Sequence, residues 1–117
     1  NKKGAKKHYR LALEADPDYY SALYGLARLL PDKSPERFEL LKTAVAAQET
    51  PLAMMDLADY YRSVLKQHDK AYDLYLQMQK RWPKDQLAYM RLNDICRRMG
   101  KSDEAKQWSA KWAEAKQ

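Results

Sequence analysis

The chain has 117 residues, of which 45% are hydrophobic and 32% charged, and its net charge is +6. This composition is ordinary for one soluble helical domain. Three glycines, one phenylalanine and few β-branched residues leave little material for strands or for a phosphate-binding glycine loop. No apolar run approaches the roughly 18 residues of a membrane span, and the start of the chain does not resemble a signal peptide. The composition therefore predicts an all-α fold.

The first two helices are predicted over residues 5–15 and 18–30, because apolar positions recur there at helical spacing. Pro17 ends the first helix and Pro31 the second. Asp18 is expected to stabilise the amino end of the second helix. The predicted inward positions are Ala5, Tyr9, Ala12 and Leu13, then Tyr19, Leu23, Leu26, Ala27 and Leu30.

The third and fourth helices are predicted over residues 35–48 and 51–65. Each follows a hydroxyl residue and a proline, Ser34 before the third helix and Thr50 before the fourth, which is the pattern of an N-cap followed by proline in the first turn. The predicted inward positions are Phe38, Leu41, Ala44 and Val45, then Leu57, Ala58 and Tyr61.

The fifth and sixth helices are predicted over residues 69–81 and 84–99. The fifth ends at Pro83, and the sixth ends at Gly100, a residue suited to a left-handed C-cap.

The seventh helix is predicted over residues 103–116, with Ser102 as its N-cap. Trp108 and Trp112 lie four residues apart on it. An array of helical repeats must cover its open end, so these tryptophans are expected to cap the core or to receive a further repeat, and a ligand-binding role is the alternative.

The spacing of small residues and prolines repeats along the chain. Pro17 and Pro83 lie 66 residues apart, as do Ala5 and Ala71, and Ala105 follows Ala71 by 34 residues. One unit of about 34 residues explains these spacings, and this is the period of a tetratricopeptide array.

The pattern resembles the tetratricopeptide repeat (TPR) superfamily, whose helix pairs carry W-x2-L-G-x2-Y and then A-x3-F with a later proline. Its first-helix positions correspond to Leu23, Leu26, Ala27 and Leu30, then Met54, Leu57, Ala58 and Tyr61, then Tyr89, Leu92, Asn93 and Cys96. Its second-helix positions correspond to Ala5, Tyr9, Ala12 and Pro17, then Ala71, Tyr75, Met78 and Pro83. Residues 46–61 also resemble a Sel1-like repeat, with Thr50 where that family has glycine.

The resemblance implies a right-handed α-solenoid of antiparallel helix pairs, with seven helices forming three full repeats and a leading half repeat. Residues 1–117 would then be one repeat domain, a piece of a longer array. In the last helix Ser109 occupies the aromatic position of the repeat and Trp112 a small-residue position, so this helix departs from the family pattern.

No residue pattern predicts catalysis, a metal or a cofactor. His8 and His68 are sixty residues apart, and no cysteine or histidine spacing suits zinc. Cys96 is the only cysteine and has no partner for an internal disulfide. Asp56 and Asp59 lie three residues apart, which on a helix is more often surface or groove charge than a catalytic pair.

The resemblance also implies a binding surface, because the first helices of successive repeats line the concave face of such arrays. Registered on the leucine positions, the groove residues are Tyr24, Arg28, Met55, Asp59, Arg62, Met90, Asp94 and Arg97. This mixture of apolar and charged side chains is suited to an extended peptide or a helix. Two acids at its centre, Asp56 and Asp59, argue against capture of a C-terminal carboxylate.

The leading functional hypothesis is a non-catalytic protein-interaction scaffold within a larger bacterial assembly or adaptor protein, in the periplasm, envelope or cytoplasm. The net charge supports an alternative, a nucleic-acid or polyanion binder. Its basic residues form two local clusters, but sixteen acidic residues lie among them. These clusters are Lys2, Lys3, Lys6, Lys7 and Arg10, and Arg91, Arg97, Arg98 and Lys101. A third hypothesis is self-association through the N-terminal half repeat.

Overall fold

The computed structural model describes all residues from Asn1 to Gln117. It contains seven helices and no strand, which confirms the all-α prediction. The helices are α1 (Lys2–Ala15), α2 (Tyr20–Leu29), α3 (Pro35–Ala47), α4 (Pro51–Ser63), α5 (His68–Arg81), α6 (Gln86–Arg98) and α7 (Ser102–Ala115). The chain forms two compact units, Asn1–Leu57 (unit 1) and Ala58–Gln117 (unit 2). The organisation of residues 1–117 as one domain stays a prediction.

In unit 1, α2 packs against both α1 and α3. Leu23, Leu26 and Ala27 of α2 are buried, as are Leu41 and Ala44 of α3. Their spacing of three and four residues places each set on one helical face, and burial of these apolar surfaces stabilises the unit.

The contact between α1 and α2 depends on a glycine. A Cβ atom at Gly25 would lie 2.5 Å from Cζ of Tyr9, so only a residue without a side chain allows this ring to reach the backbone of α2. No residue of α1 is fully buried, and the predicted inward residues Tyr9 and Leu13 are half-buried.

In unit 2, α6 packs against both α5 and α7. The side chains that are fully removed from solvent include Tyr75 and Met78 of α5 and Leu92, Ile95 and Cys96 of α6. Trp108 of α7 is 5% exposed and covers the core of the last helix pair, as predicted, whereas Trp112, for which the same was predicted, is only half-buried.

Three predicted helix ends are confirmed by their hydrogen bonds. The Ser34 hydroxyl accepts from the Arg37 amide at 3.2 Å, and the Thr50 hydroxyl accepts from the Ala53 amide at 3.2 Å. Gly100 has φ +76°, and the next amide, that of Lys101, donates to the Cys96 carbonyl at 2.8 Å. A left-handed residue followed by an amide that donates five residues back is the Schellman motif, and it ends α6.

Two predicted helix starts differ from the structure, for local reasons. The Asp16 carboxylate accepts from the amide of Asp18 at 3.2 Å, a turn that keeps Asp18 outside α2. Tyr19 is therefore the N-cap residue of α2, and its side chain is 49% exposed and not inward. At the start of α7 the N-cap residue is Lys101 and Ser102 is already helical, because the Schellman turn leads directly into the helix.

Candidate functional site

Unit 1 contains three of the predicted groove residues, and they differ in exposure. Tyr24 donates a hydrogen bond to the Asp56 carboxylate at 2.8 Å, and the Arg28 guanidinium lies 5.7 Å from the centre of the Tyr24 ring. Burial and the hydrogen bond to Asp56 raise the pKa of Tyr24 above its ordinary value. Met55 is only 8% exposed. It therefore belongs to the packed interior and offers almost no surface to a partner.

Asp56 is held from two sides. Besides the bond from Tyr24, the Arg37 guanidinium lies 3.9 Å from its carboxylate. The main contact of Arg37 is a hydrogen bond to the Ala27 carbonyl at 2.7 Å. The ring of Tyr20 stacks on that of Tyr24, and their centres are 5.9 Å apart. We call these residues the Tyr24 cluster: Tyr20, Tyr24, Arg37 and Asp56.

Unit 2 contains the other five predicted groove residues, and Asp59 is the centre of a polar network there. Asp59 accepts a short hydrogen bond from the Tyr75 hydroxyl and bonds from Arg91 at 3.0 and 3.4 Å. Burial and the bond to Asp59 raise the pKa of Tyr75 above its ordinary value. A carboxylate with this many donors is committed to holding helices together, so it has little capacity left for a ligand.

The network continues along α6. The Arg62 guanidinium lies 3.9 Å from the carboxylate of Asp59 and 3.8 Å from that of Asp94, and Arg98 donates to Asp94 at 2.8 Å. These ion pairs fix the charged side chains of this face in one arrangement.

Two predicted groove residues in unit 2 remain open to solvent. Met90 is 51% exposed, and Arg97 is exposed and forms no ion pair with any of the 117 described residues. Both lie on the face of α6 that also carries Asn93, because positions 90, 93 and 97 are three and four residues apart.

The structure also shows a pocket that the sequence did not predict. It measures about 220 Å³ and lies between α6 and α7, lined by Tyr89, Met90, Asn93, Ser109 and Trp112. The signal for it was present in the sequence, because Ser109 stands where the repeat has an aromatic residue. A small polar side chain at that position leaves space that a ring would fill.

The polar groups of this pocket have a fixed orientation. The amide nitrogen of Asn93 donates to the Ala105 carbonyl at 2.7 Å and to the Ser109 hydroxyl oxygen at 2.9 Å. A carbonyl oxygen can only accept, so the nitrogen of Asn93 must face α7 and its oxygen must point away. On the wall beside them the rings of Tyr89 and Trp112 lie 5.3 Å apart.

A second pocket, in unit 1, is lined by the charged residues Arg10, Glu14 and Glu36, and two of them pair with each other. It measures about 320 Å³ and lies between α1 and α3. The Arg10 guanidinium and the Glu36 carboxylate at its edge are 2.6 Å apart. Since this ion pair satisfies both groups, neither is left to recognise a charged ligand.

Cys96 is a core residue with an unreactive thiol. It is fully buried and donates to the Glu104 carboxylate at 3.2 Å. Burial, and then the bond to Glu104, raise the pKa of Cys96 to about 12. At neutral pH the thiolate, which is the nucleophile and the metal ligand, is therefore essentially absent. Among the 117 described residues no three potential ligands lie together as a metal would require.

Comparisons with known proteins identify the fold. No protein-family model matches the chain, and no curated protein matches it. Two solved structures of MamA, a TPR-containing protein, superpose on it with TM-scores of 0.63 and 0.61. They are 21% and 22% identical in sequence, and the match covers 97% of this chain and 88% and 82% of theirs. The fold is TPR-like.

The TPR-like fold confirms the general resemblance found in the sequence. The Sel1-like character of residues 46–61 stays a prediction, because the likeness does not distinguish the two kinds of repeat. None of the seven helices combines the length and the apolar character needed to cross a bilayer.

Proposed function

We propose that this protein is a non-catalytic interaction scaffold that binds a peptide or a partner protein through the predicted groove positions. Tyr24 and Arg28 would contribute in unit 1. Arg62, Met90, Asp94 and Arg97 would contribute in unit 2. Met55 would support the positions of unit 1 through packing, and Asp59 would support those of unit 2 through its hydrogen bonds.

The observation that carries the proposal is the exposed side of α6. On a helix whose Leu92, Ile95 and Cys96 are fully buried, Met90 keeps half of its surface in solvent. Exposed methionine beside charged groups is common on surfaces that bind proteins, because its flexible side chain adapts to different partners. The ion pairs of Asp94 with Arg62 and Arg98 limit the side-chain motion that binding would otherwise have to suppress.

Site-specific photo-crosslinking tests this proposal. A photoreactive residue at position 90 should crosslink the natural partner in extracts of the source cells. The same residue at position 46, where Ala46 is also exposed but lies on α3, serves as the matched control. Equal capture at both positions, or capture at position 46 alone, would contradict the proposal.

A polyanion-binding function is the second candidate, favoured by the lysines of α1. Lys2, Lys3 and Lys7 are exposed and form no ion pair with any of the 117 described residues. In this cluster only Arg10 is paired, with Glu36, whereas in the second basic cluster two of the four cations are paired, Arg91 with Asp59 and Arg98 with Asp94. A polyanion would therefore bind at α1.

Heparin chromatography distinguishes this candidate. If it holds, the protein should elute at a salt concentration that falls clearly when Lys2, Lys3 and Lys7 are changed to glutamine. Failure to bind the column at low ionic strength would remove this candidate and leave the scaffold proposal intact.

The remaining parts of the proposal concern context. The proposal also includes a Sel1-like middle repeat, membership of a bacterial assembly and self-association through α1. Light scattering with and without residues 1–17 tests the last of these, and an unchanged monomer mass would count against it.

A further inference from the structure

We infer that the pocket between α6 and α7 receives one apolar side chain from an extended, acidic segment of a partner protein. This inference rests on the proposed scaffold function and specifies where and what the scaffold binds. Three features of the pocket lead to it: its size, its pattern of hydrogen-bonding groups and the charges beside it.

The size of the pocket fits a single side chain. Small-molecule and cofactor sites usually measure about 300–1,000 Å³, and this pocket has a volume of about 220 Å³. Its walls are the rings of Tyr89 and Trp112 and the half-exposed side chain of Met90. A leucine or phenylalanine placed there would contact apolar atoms from both helices.

The polar groups of the pocket match a peptide bond. Both N–H groups of the Asn93 amide are directed at α7, so its oxygen remains as an acceptor without a donor among the described residues. The Ser109 hydroxyl accepts from Asn93, and its own hydrogen forms no bond to the carbonyl four residues earlier, unlike the hydroxyls of Thr43 and Ser63. One free acceptor beside one free donor complements the N–H and C=O of an extended backbone.

The charges beside the pocket select an acidic segment. Arg97 follows Asn93 by four residues on α6, and Lys116 follows Trp112 by four residues just beyond α7. Neither side chain forms an ion pair with any of the described residues. A peptide with acidic residues on both sides of its apolar side chain would place them near these two cations.

The same charges argue against a second copy of this chain as the occupant through α1. Leu11 is the large exposed apolar residue of α1, and it follows Lys7 and Arg10 on that helix. Docking of this basic helix would bring cations toward Arg97 and Lys116 and would be repelled.

Nuclear magnetic resonance titration with defined peptides tests the inference. The probe is the acetylated and amidated hexapeptide DDLFDD, and the charge-reversed hexapeptide KKLFKK is its control. DDLFDD should bind saturably with a Kd below about 1 mM. Its addition should shift the side-chain amide of Asn93 and the indole of Trp112. KKLFKK should bind at least about tenfold more weakly.

Matched variants locate the binding. Met90→Gln should lower the affinity for DDLFDD about fivefold, because apolar contact is lost. Ser109→Ala should lower it about threefold, because a hydrogen bond is lost. Leu52→Gln changes a leucine that is 65% exposed in unit 1, and it should leave the affinity unchanged. Circular dichroism of each variant confirms that the helices are intact.

Three outcomes would overturn the inference. Saturable shifts confined to residues near Tyr24 would place peptide binding elsewhere and leave the scaffold function standing. Absence of saturable shifts up to several millimolar DDLFDD would remove the acidic segment as occupant, while partner capture at position 90 would still support the scaffold. A dimer in light scattering that Met90→Gln dissolves would identify a second copy as the occupant.

Discussion

Asp56 and Asp59 lie three residues apart on α4, and each binds a tyrosine and an arginine in a different unit of the chain. In unit 1 the tyrosine is the part-buried Tyr24, and Arg37 lies 3.9 Å from the carboxylate. In unit 2 the tyrosine is Tyr75, which is fully buried, and Arg91 approaches the carboxylate to 3.0 Å. The same three residue types therefore serve a part-buried tyrosine in one unit and a fully buried tyrosine in the other.

The difference shows that a carboxylate contributes more to the free energy of unfolding when the hydroxyl that it accepts from is buried. Removal of a carboxylate that serves a buried hydroxyl leaves that hydroxyl unsatisfied, whereas a part-buried hydroxyl can turn to water. The α6 face of unit 2, with its half-exposed Met90, is thus anchored more firmly than the Tyr24 cluster of unit 1.

The largest expected effect is that of Asp59→Ala. It leaves the Tyr75 hydroxyl and the Arg91 guanidinium without their acceptor, and we expect it to lower the free energy of unfolding by about 2–3 kcal/mol. Asp56→Ala should lower it by only about 1 kcal/mol. Urea denaturation followed by circular dichroism measures both variants, and equal losses would refute the contrast between the two units.

Gly25→Ala should have the next largest effect on stability. Its new Cβ would lie 2.5 Å from the Tyr9 ring, so the ring must move away or α1 must shift on α2, at a cost of about 1–2 kcal/mol. Gly4→Ala is the matched control, since its Cβ would meet nothing closer than the Asn1 side chain at 3.8 Å. Thermal unfolding compares the two variants, and a Gly25→Ala protein as stable as the control would show that the Tyr9 contact does not hold α1.

A smaller effect, opposite in sign, is expected at Lys66 in unit 2. Lys66 has φ 56°, a left-handed conformation that costs free energy for a residue with a side chain. Lys66→Gly should therefore raise the free energy of unfolding by about 0.5 kcal/mol. Gln77→Gly, on an exposed site inside α5, should lower it by about 1 kcal/mol. A loss of stability in both variants would show that the turn after α4 does not favour glycine.

The smallest expected effect concerns the ion pair of Arg10 and Glu36 in unit 1. The hydrogen bond from Arg10 lowers the pKa of Glu36, so its contribution to stability is present above the unfolded pKa of about 4.3 and is lost as the pH falls through the depressed folded value. Both side chains are nearly half exposed, so Glu36→Gln should cost only about 0.3 kcal/mol at pH 7. Urea denaturation at pH 7 and at strongly acidic pH tests this, and a cost that persists in acid would contradict the ion-pair origin.

The helices and most of their ends were predictable because they depend on local signals. Ser34, Thr50 and Gly100 act through hydrogen bonds within a few residues of themselves, and the sequence displays all of their partners. The predicted start of α2 at Asp18 and the predicted cap at Ser102 failed because competing turns at Asp16 and Gly100 each begin two residues earlier. Such competition is decided by backbone geometry that residue preferences alone do not specify.

The candidate surface was only partly predictable. When the helices are aligned on their leucine positions, Met55 and Met90 are both predicted to face the groove. Met55 is nevertheless 8% exposed and Met90 is 51% exposed. Helical periodicity identifies a face but not what covers it. The bond from Tyr75 to Asp59 and the pocket beside Ser109 likewise join residues from different helices, so they became visible only with the fold.

Methyl resonances of the methionines test the central claim most directly. With carbon-13 in the methionine methyl groups, addition of the partner captured at position 90 should shift and broaden the signal of Met90. The signals of the buried Met55 and Met78 should stay in place. A bound partner that leaves the Met90 methyl signal unchanged would contradict the proposal that the exposed side of α6 is the binding surface.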